Sequence, residues 1–227
     1  MSSSQNKFDS ELLQARWVLG SIDAEEFVAQ ALIALEESRD CPALQQIAGL
    51  DKPTTGDLGR LPDRAFAELG LQRIDILQAA SVVVDRHMAS TSPAISELVR
   101  SFPEFGPRWN KHVVASGGDP AASYIDMAEF VHFVVEDLYE KGAVAETQRA
   151  FDMLERLLTE GDEATKGLVA LGFFETLQCF TSWRPYGQTA FEKFLGTNSR
   201  DVWNDLRIIW RGKSSLTDVI RAENKGK

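Results

Sequence analysis

At 227 residues, 44% apolar and 26% charged, the chain has the make-up of a globular protein that can bury a sizeable core, as one large helical domain or two small ones. Acids outnumber bases by 34 to 24, for a net charge of −10 and a pI near 4.9, which argues against a basic nucleic-acid footprint. The two cysteines, Cys41 and Cys179, stand far apart and read as free reduced thiols, the start MSSSQNKFDS lacks the apolar stretch of a signal peptide, and no apolar run approaches the roughly 18 residues that span a bilayer, so a cytoplasmic protein without a membrane anchor is expected.

The pattern is helical almost throughout, with no convincing alternation of period two. Phe8 to Leu19 reads as a first helix with Leu12, Leu13 and Val18 as core candidates. Asp23 is placed to cap the next, with Glu26 in the capping-box position; that helix runs to about Ser38 and carries Phe27, Val28, Ala31, Leu32 and Leu35 on one face. Pro42 suits the first turn of a short helix ending before Gly49, and Asp51 to Gly56 is the clearest loop of this half. Asp63 to Leu69 is helical and closed by Gly70, and a longer helix from Ile74 to Met88 carries Ile76, Leu77, Ala80, Val83 and Val84. Ser90 to Pro93 supplies a break and a fresh helix start, and Ser116 to Pro120 supplies another.

Further helices are expected at about 121–140, 145–160, 163–180, 187–195 and 198–211, punctuated by Gly142, Gly161 and Gly196, before a fraying tail from Ala222. This helix–turn–helix rhythm suggests stacked antiparallel helix pairs, an irregular array without a fixed repeat period. The expected fold is therefore all-α in two modules, residues 1–90 and 91–227.

Charge is unevenly spread. Between Ile125 and Glu163 there are eleven acids and three bases, which accounts for eight of the ten excess negative charges; residues 164–227 carry ten bases and six acids. The two regions are expected to attract each other, within the fold or between subunits. Projected at about 100° per residue, the helix around 121–140 gathers Met127, Phe130, Val131, Val134, Val135 and Leu138 on one side. Asp126, Glu129, Glu136, Asp137 and Glu140 fall opposite, with His132 at the margin and Phe133 among the acids. On the next helix Phe151, Leu154, Leu157 and Leu158 turn inward and leave Asp152 and Glu155 outward. Two readings stand: a solvated helix face, or a docking surface for a basic partner. Few lysines or arginines interleave to form helix-surface pairs, and an exposed Phe133 would suit an interface anchor; alternatively Phe133 inserts into a neighbouring helix. The candidate partner-binding set is thus Asp126, Glu129, His132, Phe133, Glu136, Asp137, Glu140, Asp152 and Glu155.

No nucleophile elbow, P-loop or dinucleotide fingerprint is present, so neither catalytic residues nor a cofactor are assigned. Glu129, His132 and Glu136 share a helical face, but no second histidine stands at helical spacing and no metal site is assigned. Cys179, beside Phe173, Phe174, Leu177 and Phe180, reads as a buried structural thiol. Trp203, Leu206 and Trp210, spaced i, i+3, i+7, are expected to share a buried stripe.

From about Ile95 to Arg211 the chain resembles an uncharacterised all-helical domain of bacterial proteins. The matching strings are Phe102-Pro103-Glu104-Phe105 with Trp109, then Phe151 to Leu158 followed by Glu160-Gly161-Asp162. Gly172-Phe173-Phe174-Glu175 with Leu177-Gln178, and Phe194-Leu195-Gly196 before Trp203 and Trp210, complete them. Residues 8–90 are similar to a helical segment of other small bacterial proteins of unknown role. Domains of this kind look like small genes beside polymorphic toxins, so the resemblance implies an immunity protein whose partner is a cognate toxin with a basic surface. A non-enzymatic adaptor that organises a complex is the second reading, and an enzyme of unrecognised type the third. Neither nucleic acid nor membrane is expected as a partner.

Overall fold

The computed structural model describes residues 8–39, 41–118 and 123–224, with side chains up to Trp210. Among the described residues there are helices and no strand, so the protein is all-α. The chain divides into two compact units, Met1–Ser90 with Asn110–Pro120, and Thr91–Trp109 with Ala121–Lys227. The expected modules met at residue 90; in the structure a short later stretch, Asn110–Pro120, also joins the first unit.

The first unit holds α1 (Ser10–Val18), α2 (Ala24–Glu36), α3 (Pro42–Ala48), α4 (Thr55–Leu58), α5 (Leu61–Glu68) and α6 (Ile76–Ser90). Asp23 caps α2 by accepting the Glu26 N–H at 2.8 Å. The second half of the expected capping box is not made, because the Glu26 carboxylate turns to the guanidinium of Arg16 on α1, at 2.8 Å from its second nitrogen. A complete capping box forms instead at Thr54 and Asp57, where the chain leaves the stretch expected to be loop. Trp17 meets Phe27 edge to face at 5.3 Å, Phe27 meets Phe66 at 5.9 Å, and Leu13, Ala31, Leu44 and Ile47 close the core around them. Arg86 of α6 reaches Asp9 and Glu11 at 2.7 and 2.8 Å, tying α6 to the start of α1. Ala79, Val83 and His87 are the buried residues of α6, which leaves Ile76 and Leu77 exposed.

The second unit is built on aromatic packing. It holds α7 (Pro93–Ser101), a 3₁₀ turn at Pro103–Phe105, the first turn of α8 (Gly106–Ala115), and α9 (Ser123–His132), which runs into a π-helical segment, Phe133–Tyr139. Next come α10 (Val144–Glu160) and α11 (Glu163–Gly167), which continues through a second π segment, Leu168–Glu175, into α12 (Thr176–Ser182). A 3₁₀ stretch at Gln188–Phe194, where a helix was expected, leads to α13 (Thr197–Asn224). Phe105 and Phe130 lie 5.1 Å apart, Phe130 and Phe173 6.0 Å, Phe173 and Phe151 5.8 Å, and Phe151 and Phe194 5.4 Å. One ring therefore hands the core on to the next across five elements.

Both π segments occur where the apolar run is too dense for an α-helical stripe. Phe133, Val134 and Val135 are consecutive and all buried, as are Phe173 and Phe174 beside Gly172. A π turn takes one more residue than an α turn, so neighbours that an α-helix would splay apart can face one core. The i to i+5 bond from the Glu140 N–H to the Val135 carbonyl, at 2.9 Å, marks the wider turn. Gly172 lets the second π segment press onto α9, since a Cβ there would lie 3.1 Å from Met127 Cβ and Cγ.

Glu155 of α10 does structural work. Its carboxylate accepts the backbone N–H of Asn198 at 2.7 Å and of Ser199 at 2.8 Å, capping α13 from a distant helix. A Cβ on Gly196 would fall 2.6 Å from the Glu155 Cδ. Gly196→Ala and Glu155→Ala are each expected to cost about 1–2 kcal/mol, the scale of a lost N-cap. Because both remove the same cap, the double variant should cost little more than either single one, which a double-mutant cycle in denaturant melts will measure.

Candidate protein-docking surface

The acidic side of α9 and its π segment is not a bare face. Arg108, in the first turn of α8, directs Nε to Asp137 Oδ2 at 2.9 Å and a terminal nitrogen to Glu136 Oε2 at 3.0 Å, with Glu129 Oε2 at 3.9 Å. Arg184, just beyond α12, approaches the other oxygen of Glu136 at 3.1 Å and Glu140 Oε1 at 3.4 Å, while its guanidinium lies 4.7 Å over the Phe180 ring. The Tyr186 hydroxyl donates to Glu140 Oε1 at 2.6 Å, and Lys141 donates to Asp137 Oδ1 at 2.7 Å. The His132 ring lies 4.3 Å from that of Phe180, tilted by 50°, with Nδ1 3.9 Å from Glu136. Lys141 stands at helical spacing from Asp137, but the two arginines that hold the face come from elsewhere, Arg108 and Arg184 lying 28 and 48 positions from Glu136, where no helix-period count would find them.

Electrostatics follow from this geometry. Burial raises the cost of ionising Asp137, but the hydrogen bonds and charges of Lys141 and Arg108 outweigh it and hold its carboxyl below the ordinary value. Burial, reinforced by the Glu140 carboxylate, pushes the Tyr186 phenol well above its usual range. With its folded-state pKa depressed, Asp137 contributes stability that is present above the ordinary carboxylate pKa, about 4, and is lost as pH falls through its folded value. Melting temperature should accordingly drop more steeply below about pH 4 in the wild type than in Asp137→Asn, which a pH series of thermal melts checks.

The nine expected surface residues separate. Glu129, Glu136 and Asp137 are half-buried in the network, His132 is half-buried beside it, and Glu140 is exposed at its edge. Asp152 is exposed and accepts from Gln148 at 2.8 Å. Glu155 is spent on the α13 cap. Asp126 is fully buried, with Oδ2 3.3 Å from the Thr91 hydroxyl, so it cannot meet a partner. Phe133 is buried too, 5.4 Å from Phe105 and 5.8 Å from Phe130, because the π turn swings it out of the acidic face and into the core. No group of three or more acids, histidines and cysteines with metal-holding geometry occurs among the described residues.

Sequence reasoning overlooked a groove of about 450 Å³ between α12 and α13, lined by Gln178, Cys179, Ser182, Trp183, Arg207 and Trp210, with Gln188 at its edge. Trp183 is 91% exposed. Cys179 is exposed in this groove, which corrects the buried thiol expected from its apolar neighbours. Trp210 is exposed as well, whereas Trp203 and Leu206 are buried, so the expected stripe ends one turn early. A signal for this existed: Ile208, Ile209 and Trp210 are consecutive, and one α-helical stripe cannot bury all three.

Residues 95–211 match the family described as a domain of unknown function, DUF7674, and the chain belongs to that family. No curated protein and no solved structure matches the chain.

Proposed function

We propose that this protein works by binding another protein, as an immunity protein that neutralises a secreted bacterial toxin by occluding it. The acidic surface of α9, its π segment and α10 is the part that meets a basic partner. The observation that carries this reading is the ordered array of Glu129, Glu136, Asp137 and Glu140, held by Arg108 and Arg184 while each side chain keeps about a third of its surface in solvent. Carboxylates fixed before the encounter lose little freedom on binding, and this preorganisation favours affinity. Asp152, Glu160 and Glu163 on the neighbouring elements extend the negative field that steers a cationic partner. Occlusion requires complementary shape and charge and no chemistry of its own. The toxin reading rests on the sequence resemblance, and the family description names neither activity nor partner.

The test uses residues that leave the arginine network intact. Reversing Asp152, Glu160 and Glu163 to Lys should preserve the melting temperature, since Glu160 and Glu163 are 66% and 95% exposed. With a candidate toxin as the partner, it should slow association and flatten the salt dependence of the on-rate. Co-expression with that toxin should restore growth of a sensitive host. Toxin that kills regardless, or identical on-rates and salt slopes for wild type and variant, would sink the proposal. A second reading, a helical adaptor, is favoured by Trp183, whose exposed ring beside the groove suits a protein anchor; neither wild type nor variant would then rescue growth, and Trp183→Ala would abolish complex assembly.

A further inference from the structure

The groove between α12 and α13 carries more idle polar capacity than an apolar crease would. Gln178 is only 4% exposed, and its Nε2 is tied to the Trp203 carbonyl at 3.0 Å. That bond fixes the amide, while nothing among the described residues donates to its Oε1. Gln188, from the 3₁₀ stretch, has an Oε1 that is closed off from solvent and accepts no hydrogen bond, so turning this amide towards a ligand breaks none. Buried side-chain amides are hydrogen-bonded as a rule, and two carbonyl oxygens without a donor are what the N–H groups of a ligand would use. Arg207 supplies the opposite capacity. Its Nη1 pairs with Glu192 at 3.0 Å, and no acceptor among the described residues meets its other two nitrogens.

Two indoles border the same space, Trp183 at 91% exposure and Trp210 at 37%. At about 450 Å³ the groove has the size of a small-molecule cleft, and indole faces stack on flat heterocycles. Glu192 already neutralises Arg207, so a neutral ligand suits the site better than a phosphate or carboxylate, which Glu192 would repel. Stacking surface, two acceptors and one guanidinium together call for a flat, neutral ring system whose edge carries N–H donors beside a carbonyl acceptor. The 2-amino-lactam edge shared by guanine and pterin has this pattern. Its ring N–H and exocyclic amine can donate to the amide oxygens, and its carbonyl can accept from Arg207, as guanine accepts from arginine in base recognition. Adenine, whose ring nitrogen on that edge is an acceptor, would set acceptor against acceptor.

We propose that the α12–α13 groove is a binding site for a neutral 2-amino-lactam heterocycle of the guanine or pterin type, stacked on Trp183, with its edge read by Gln178, Gln188 and Arg207. This site stands apart from the acidic surface, and it gives Trp183 a small ligand in place of a protein partner.

Isothermal titration calorimetry on the full chain, with guanosine, pterin, adenosine and guanosine monophosphate as probes, reads the outcome. Guanosine or pterin should bind with one-to-one stoichiometry, and the tighter of the two names the source of the ring. Adenosine should bind about tenfold more weakly than guanosine, the scale of one mismatched base edge. Guanosine monophosphate should gain nothing over guanosine. Trp183→Ala should weaken binding about tenfold, as removal of a stacking ring does, with an unchanged melting temperature because the ring is already in solvent. Arg207→Lys keeps the charge for Glu192 but loses the fork, and should weaken binding several-fold. Gln188→Met separates binding from folding. Replacing an unpaired buried amide by an apolar side chain of similar length should leave the melting temperature the same or higher while weakening binding. No heat from either guanosine or pterin at millimolar concentration overturns the proposal. So does adenosine binding as tightly as guanosine, or guanosine affinity that Trp183→Ala and Gln188→Met leave unchanged.

Discussion

Trp203→Ala is expected to destabilise the protein by about 3–5 kcal/mol, the range for truncating a large core aromatic, and to lower the melting temperature by about 6–20 °C. Trp203 is 1% exposed and meets Phe174 edge to face at 6.4 Å. Its indole N–H reaches Glu192 at 3.4 Å, and Glu192 also pairs with Arg207 at 3.0 Å, so truncation leaves a cavity and frees a carboxylate that helps fasten α13. Its carbonyl still accepts the Gln178 side chain at 3.0 Å, so that bond should survive the substitution. Trp210→Ala should cost only about 1 kcal/mol, as substitutions at partly exposed sites do. Thermal melts of the two variants decide the matter: equal losses would mean that Trp210 is as much a part of the core as Trp203.

Phe133→Ala should carry a comparable loss, about 3–5 kcal/mol, and should act on the fold rather than on partner binding. The ring is 2% exposed and packs against Phe102, Phe105 and Phe130 at 6.3, 5.4 and 5.8 Å. Those contacts join the 3₁₀ turn before α8 to the π segment after α9, so removing the ring loosens the start of α8, which delivers Arg108. Weakened binding in this variant should be accompanied by a fall in melting temperature. A Phe133→Ala protein that melts like wild type yet loses its partner would return the ring to the role of surface anchor.

Phe133 also shows where reading by helical period fails. At about 100° per residue it falls among the acids, and that projection holds only while the helix stays α. The run Phe130 to Leu138 holds six buried apolar residues, and burying all of them widens the turn. The density of apolar residues was the available signal. Cys179 fails for the opposite reason: its neighbours Phe173, Phe174 and Leu177 are buried, but helical phase points the thiol into an open groove. In both cases composition identified the neighbourhood and phase decided the direction.

What the sequence by itself determined is local. The helical class, the Asp23 cap, Pro42 at the start of α3, the stop at Gly70 and the fresh start at Ser92-Pro93 all rest on interactions spanning a few residues, and so they can be read in order along the chain. Only the tertiary structure decided which acids stay in solvent. Arg108 reaches Asp137 across 29 positions, Arg184 reaches Glu136 across 48, and Glu155 caps Asn198 across 43. A carboxylate on a helix looks the same in sequence whether it faces water, an arginine or another helix's N-terminus. The difference depends on how distant elements pack, because charge interactions act through space without regard to separation along the chain.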